Sequence, residues 1–224
     1  MARQPRSAPN CALRNPRKPS GRNGSQVPKP LTENSTKHTN PGLPDSPQRL
    51  FFALLPDGAV RKRLRQLQKN LEKAGGRPVP EENLHLTLLF LGNVEVDKVD
   101  AVRDIAAGIE GKRFDLVLDT LGGFRQNNAR ILWVGPSESP PALGALHQSL
   151  RRQVGKIGLR VGKGTYRPHV TLIRKADLRE NFPEKPDQNI PWVASRLTLL
   201  ASELLPSGSR YRILAETNLT EYIS

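Results

Sequence analysis

The sequence predicts an α+β fold: bilobal, built from duplicated strand–helix–strand units related by a pseudo-twofold axis, with antiparallel sheets flanking a central groove. Three observations carry that expectation. The apolar period changes from strand-like to helix-like and back, and does so twice along the chain. Both stretches are punctuated by similar turn residues, and the chain closes on two β-rich runs joined by Pro206-Ser-Gly208.

The first unit opens on Arg49-Leu-Phe-Phe-Ala-Leu-Leu-Pro56, a buried strand ended by Pro-Asp-Gly turn chemistry. From Asp57 to Ala74 the apolar positions Val60, Leu64, Leu67, Leu71 and Ala74 fall on one helical face, which Gly75-Gly76 terminates. Leu84-His-Leu-Thr-Leu-Leu-Phe-Leu-Gly92 is then a strand. The second unit opens on Arg130-Ile-Leu-Trp-Val-Gly-Pro136. Ser139 is placed to cap a helix with Pro140 at its first position, and Leu143, Leu146, Leu150, Val154 and Ile157 form the apolar face. Pro168-His-Val-Thr-Leu-Ile-Arg174 is its closing strand. The opening arginines lie 81 residues apart and the two histidines 84 apart, the signature of an internal duplication.

Between the units, Val96, Val99, Val102, Ile105 and Ile109 mark a helix, and Arg113–Thr120 alternates like a half-buried strand. Gly122-Gly123-Phe124-Arg125 reads as a loop near the groove. Residues 176–191 read as a loop, and Trp192–Leu205 and Ser209–Ala215 as the closing hairpin.

Composition separates a tail from this body. The 224 residues are 36% hydrophobic and 5% aromatic, yet residues 1–47 hold nine prolines and no aromatic residue. Such a stretch cannot bury enough apolar surface to offset the entropy of ordering it, so 1–47 is expected to be a disordered basic tail and 48–224 the folded domain. The net charge is +14; the tail carries eight Lys/Arg against Glu33 and Asp45, leaving +6 there and +8 in the body. Both parts attract polyanions. No run of 18 apolar residues and no apolar segment behind the N-terminal arginines is present, so neither a membrane span nor a secretory signal is expected. The single cysteine, Cys11, excludes an intrachain disulfide and a cysteine-based metal site, which places the chain in a reducing cytoplasm.

The chemistry lies in two His-x-Thr strands. Side chains of a strand alternate faces, so His85 and Thr87 share one face, and His169 and Thr171 share another. If a pseudo-twofold axis relates the halves, the two pairs converge on one cleft. Two imidazoles can divide acid and base roles near neutral pH, and the threonine hydroxyls can donate to the non-bridging oxygens of a phosphodiester. Groups on both sides of the phosphorus suit an in-line attack. Arg174, five residues after His169, falls on the opposite face by strict alternation and reaches the site only where the strand bends or ends. No metal is expected, because zinc takes a third ligand that His38 and His147 are badly placed to supply; His147 reads as structural.

HLTLLFLG at 85–92 and PHVTLIR at 168–174 resemble the paired motifs of the two-histidine phosphoesterase superfamily. RLFFALLP, ARILWVG and SRYRILAE are similar to segments of its bacterial and archaeal RNA 2′,3′-cyclic phosphodiesterases, formerly called 2′-5′ RNA ligases. The resemblance spans roughly residues 48–220. It implies metal- and cofactor-free hydrolysis of a 2′,3′-cyclic phosphate to a 2′-phosphate, in a groove between lobes, on RNA ends or nucleotides; the protein is expected to be a monomer without a membrane partner. It implies that His85 is the general acid and His169 the general base, an order that residue types alone leave open. Thr87 and Thr171 would hold phosphate oxygens, Arg174 would contact the phosphate or stack on the base, and Phe51 or Phe52 would stack on a base. Reversible 2′-5′ RNA ligation at the same site and a non-catalytic RNA-binding module are the alternative functions.

Overall fold

The computed structural model describes residues 46–162, 164–206 and 208–220. The expected tail as far as Asp45, with Cys11, lies outside the described residues. Chain order is β1 (Gln48–Leu54), α1 (Gly58–Asn70), β2 (Arg77–Pro78), β3 (Leu86–Val94), α2 (Val96–Gly108), β4 (Phe114–Leu118), β5 (Thr120–Gln126), β6 (Ala129–Gly135), α3 (Pro141–Lys156), β7 (Val170–Ala176), β8 (Ile190–Ala194), β9 (Arg196–Leu205) and β10 (Gly208–Asn218). No helix among the described residues is long and apolar enough to cross a membrane.

An eight-stranded sheet has the order β10-β9-β1-β3-β7-β6-β5, with β2 on the side of β7; β4 and β8 form a separate pair. The opening and closing strands of the two units thus sit side by side as β1-β3 and β7-β6, each pair antiparallel. A single residue pair, Leu86 with Val170, joins β3 to β7. Beyond it the edge of β7 is taken by β2, where Arg77 pairs with Arg174 and Pro78 with Ile173, and Val79 N–H donates to the Leu172 carbonyl at 2.8 Å. The main core joins the helices to one face of the sheet and includes Leu50, Phe52, Leu64, Leu86, Leu150 and Leu172. On the other face, Phe51, Ala53 and Leu200 form a smaller cluster against Tyr211.

Local chemistry explains the element ends. Asp57 caps α1, its carboxylate accepting from Val60 N–H at 2.8 Å. α3 corrects the expected cap: Ser139 is not used, Pro140 is the cap residue without a side-chain bond, and Pro141 opens the helix, where a missing N–H costs nothing. The expected strand Trp192–Leu205 is two strands divided at Ser195. Burial alternates through β8, which packs on one face, and then becomes continuous from Leu197 to Ala201, where β9 is covered on both. β10 pairs with β9 and runs on to Asn218.

Gly122-Gly123 is a correction too: these residues lie within β5, paired with Trp133 and Leu132 of β6. A Cβ at Gly122 would fall inside the Trp133 indole, and one at Gly123 would strike the Arg130 side chain. The glycines are required because long side chains of β6 lie flat across β5, not because the chain turns there. Arg130, which opens the second unit, donates to the carbonyls of Leu178 (2.9 Å) and Glu180 (3.3 Å) and fastens the following loop.

Candidate active site

His85 and His169 stand immediately before β3 and β7, flanking the one pair that links these strands. Antiparallel register around Leu86–Val170 sets His85 opposite Thr171 and Thr87 opposite His169. The four side chains share one face, with the two imidazoles on a diagonal, about 7 Å apart at the backbone. Flanking strands would close such a face; here β3 and β7 part on either side of the pair and leave a groove.

Both strands carry the same irregularities. Against β1, β3 has one extra residue at Leu88 and another beside Leu91; against β6, β7 has one at Leu172 and another between Ile173 and Ala176, where Lys175 has a φ of 58°. Bulges of this kind reset the alternation of side chains. Leu88-Leu89 and Leu172-Ile173 both turn consecutive side chains inward, so the fifth residue after each histidine faces out. In the second unit that residue is Arg174, and its charge acts on both imidazoles. The bulge supplies the bend that strict alternation lacks. In the first unit the equivalent residue is Phe90, 44% exposed, with the Arg49 guanidinium 4.6 Å above its ring.

Each imidazole is oriented by the same local bond. His85 Nδ1–H donates to the Asn83 carbonyl at 2.7 Å, and His169 Nδ1–H to the Arg167 carbonyl at 2.8 Å. These bonds fix the tautomer and leave each Nε2 as the nitrogen that can exchange a proton. Thr87 Oγ1 is 3.1 Å from His85 Nε2, and the Tyr166 hydroxyl donates to the Thr87 carbonyl at 3.3 Å. His147 is structural, stacked on Tyr166 with ring centroids 4.0 Å apart.

Aromatic rings brace both histidines. His85 packs on Phe51 (5.0 Å between centroids) and Tyr211 (5.2 Å), and His169 on Phe124 (5.0 Å) and Trp133 (6.0 Å). This corrects the two phenylalanine assignments. Phe52 is wholly buried on the helix-facing side, and Phe51, though on the groove face, is 3% exposed and serves as the floor beneath His85. Neither offers a face to a base. Tyr211, which the sequence reading overlooked, lines the cavity that also holds His85, Thr171 and Arg174; His169 and Thr87 are outside that lining. Its sequence signals were a place in the SRYRILAE segment and in an alternating strand, and neither says which face is the groove.

Burial lowers the His85 pKa from 6.5 to about 4; the bond to Asn83 opposes the shift, and the charges of Arg174 and His169 add to it. Burial, then the charges of Arg174 and Arg167, also hold His169 below the usual range, opposed by its bond to the Arg167 carbonyl. The unfolded chain therefore binds protons that the native state refuses. Stability present above about pH 6.5 is expected to be lost as the pH falls toward 4, and His85→Asn to flatten that slope, as thermal unfolding across the window would show. Depressed carboxylates such as Asp119 act below that window.

Known proteins are similar to this chain in sequence and in fold. The family described as LigT like phosphoesterase matches the chain twice, over residues 54–133 and 134–211, once in each half. An Escherichia coli K12 protein named RNA 2′,3′-cyclic phosphodiesterase is 34% identical over 176 residues, covering 78% of this chain and 98% of that protein. The chain belongs to the LigT-like phosphoesterase family. An Archaeoglobus fulgidus member of the same name is 30% identical over 62% of this chain and 77% of its own length. The crystal structure of E. coli LigT in its apo form matches this LigT-like chain with a TM-score of 0.70 at 34% identity, over 78% of this chain and 99% of that one; LigT has also been solved in complex with 3′-AMP, with the same values.

Proposed function

We propose that this LigT-like protein hydrolyses the 2′,3′-cyclic phosphate of RNA ends or nucleotides to a 2′-phosphate. The observation that carries the reading is the diagonal of two imidazoles, each with Nδ1 tied to a backbone carbonyl, beside two threonines, with Thr87 Oγ1 3.1 Å from His85 Nε2. Water attacks phosphorus as His169 Nε2 takes its proton. The bond from phosphorus to O3′ breaks, and the leaving oxygen receives the proton of His85 Nε2. Thr87 and Thr171 hold the non-bridging oxygens, and Arg174 meets their charge or stacks on the base. The acid must enter as an imidazolium that burial disfavours; the phosphate anion set against it and the Asn83 carbonyl supply the compensating charge. The relatives named RNA 2′,3′-cyclic phosphodiesterase support the choice of substrate.

Residues 48–224 are the phosphoesterase domain in this reading, and residues 1–47 a basic tail that adds non-specific attraction to RNA. The protein works as a monomer in the cytoplasm, in keeping with a single cysteine. Incubation with adenosine 2′,3′-cyclic phosphate in excess EDTA tests the chemistry. Full turnover to 2′-AMP is expected; 3′-AMP as product would reverse the leaving group, and abolition by EDTA would remove the two-imidazole scheme.

A further inference from the structure

Beyond His85 and Thr171 the groove widens into a cavity of about 730 Å³, the size of a whole small-ligand site and far more than one phosphate needs. Arg77, Arg174, Lys175 and Arg210 line it, with Glu82 the one carboxylate of the lining. None of the four cations forms an ion pair among the described residues. Arg77 and Arg174 are direct partners across β2 and β7. Like charges set opposite each other weaken an antiparallel pair, so this placement needs a reason other than folding.

Several features hold Arg77 there. β2 occupies the edge of β7 that β3 has left. Gly76, at φ +86°, permits that approach, because a Cβ would lie 2.6 Å from the Arg174 carbonyl oxygen and 2.7 Å from the Ala176 nitrogen. Gln68, buried in α1, donates to the carbonyls of Val79 (2.9 Å) and Leu172 (2.8 Å) and locks the two segments together. A two-residue strand is thus fixed so that a second guanidinium stands beside Arg174, one step farther from the imidazoles.

We propose that Arg77, with Lys175, binds the 5′-phosphate of the nucleotide whose cyclic phosphate lies between His85 and His169. The nucleoside then fills the cavity between two anion sites, and the substrate class is the 3′ end of an RNA strand, in which that 5′-phosphate is the link to the preceding nucleotide. The inference rests on the hydrolytic reading above and adds the direction in which the strand leaves the site.

The test compares adenosine 2′,3′-cyclic phosphate with the same compound bearing a 5′-phosphate, on the full chain, in wild type, Arg77→Ala and Arg77→Lys. The 5′-phosphate is expected to raise wild-type kcat/KM about tenfold, mainly through KM, as one charge-assisted hydrogen bond would. That ratio falls toward one in Arg77→Ala, recovers in part in Arg77→Lys, and shrinks with added salt. A wild-type ratio of one, or an unchanged ratio in Arg77→Ala, overturns the inference while leaving the hydrolytic reading intact. Failure of wild type to turn over either compound overturns both.

Discussion

Replacing His85 or His169 by alanine is expected to lower kcat/KM for a 2′,3′-cyclic phosphate by about a thousandfold or more, the scale of a lost general acid or base. The two histidines act on one phosphorus, so the double variant should be little worse than either single one. Far-UV circular dichroism should be retained, because each imidazole sits on the groove face, against Phe51 and Tyr211 or Phe124 and Trp133, and outside the main core. Wild-type turnover in either variant would dismiss the acid–base scheme. RNA binding that persists in both, with no turnover in wild type, would leave a binding module instead.

The second large effect is structural. Gly122→Val should destabilise the protein by about 3 kcal/mol, because its Cβ occupies the space of the Trp133 ring and overpacks a site with no slack. In a domain of this size that is roughly a 6–12 °C fall in Tm. Trp133 also backs His169, so kcat/KM should fall with stability. The cycle with Trp133→Leu checks the cause: the valine should cost much less once the indole is gone. An equal cost in both backgrounds would show that the glycine serves β5 through its backbone alone.

Both predictions depend on features of unequal legibility. The histidine and threonine pairs could be read because period-two spacing is local and their flanks recur 84 residues apart. The helices were legible from apolar spacing. Arg174 could not be settled, since Leu172-Ile173 is an ordinary apolar pair and nothing in it marks an inserted residue. Phe51 and Phe52 were ambiguous for a related reason: adjacent aromatics take opposite faces, and each face of β1 has its own cluster to bury them. Gly122-Gly123 suggested a loop because the indole that demands those glycines lies on the next strand. β2, two residues long, has no period at all, and its position is dictated by the vacated edge of β7 and by Gln68.

The paired bulges make this site depend on counting as well as on residue type. Laid out in strict alternation, with the bulge ironed out, the same residues would turn the Arg174 guanidinium toward the greasy interior and push Ile173 into water, with every chemically important side chain still encoded. Between each histidine and the fifth position after it, one residue more or fewer thus alters either the bulge or the facing of the side chains beyond it.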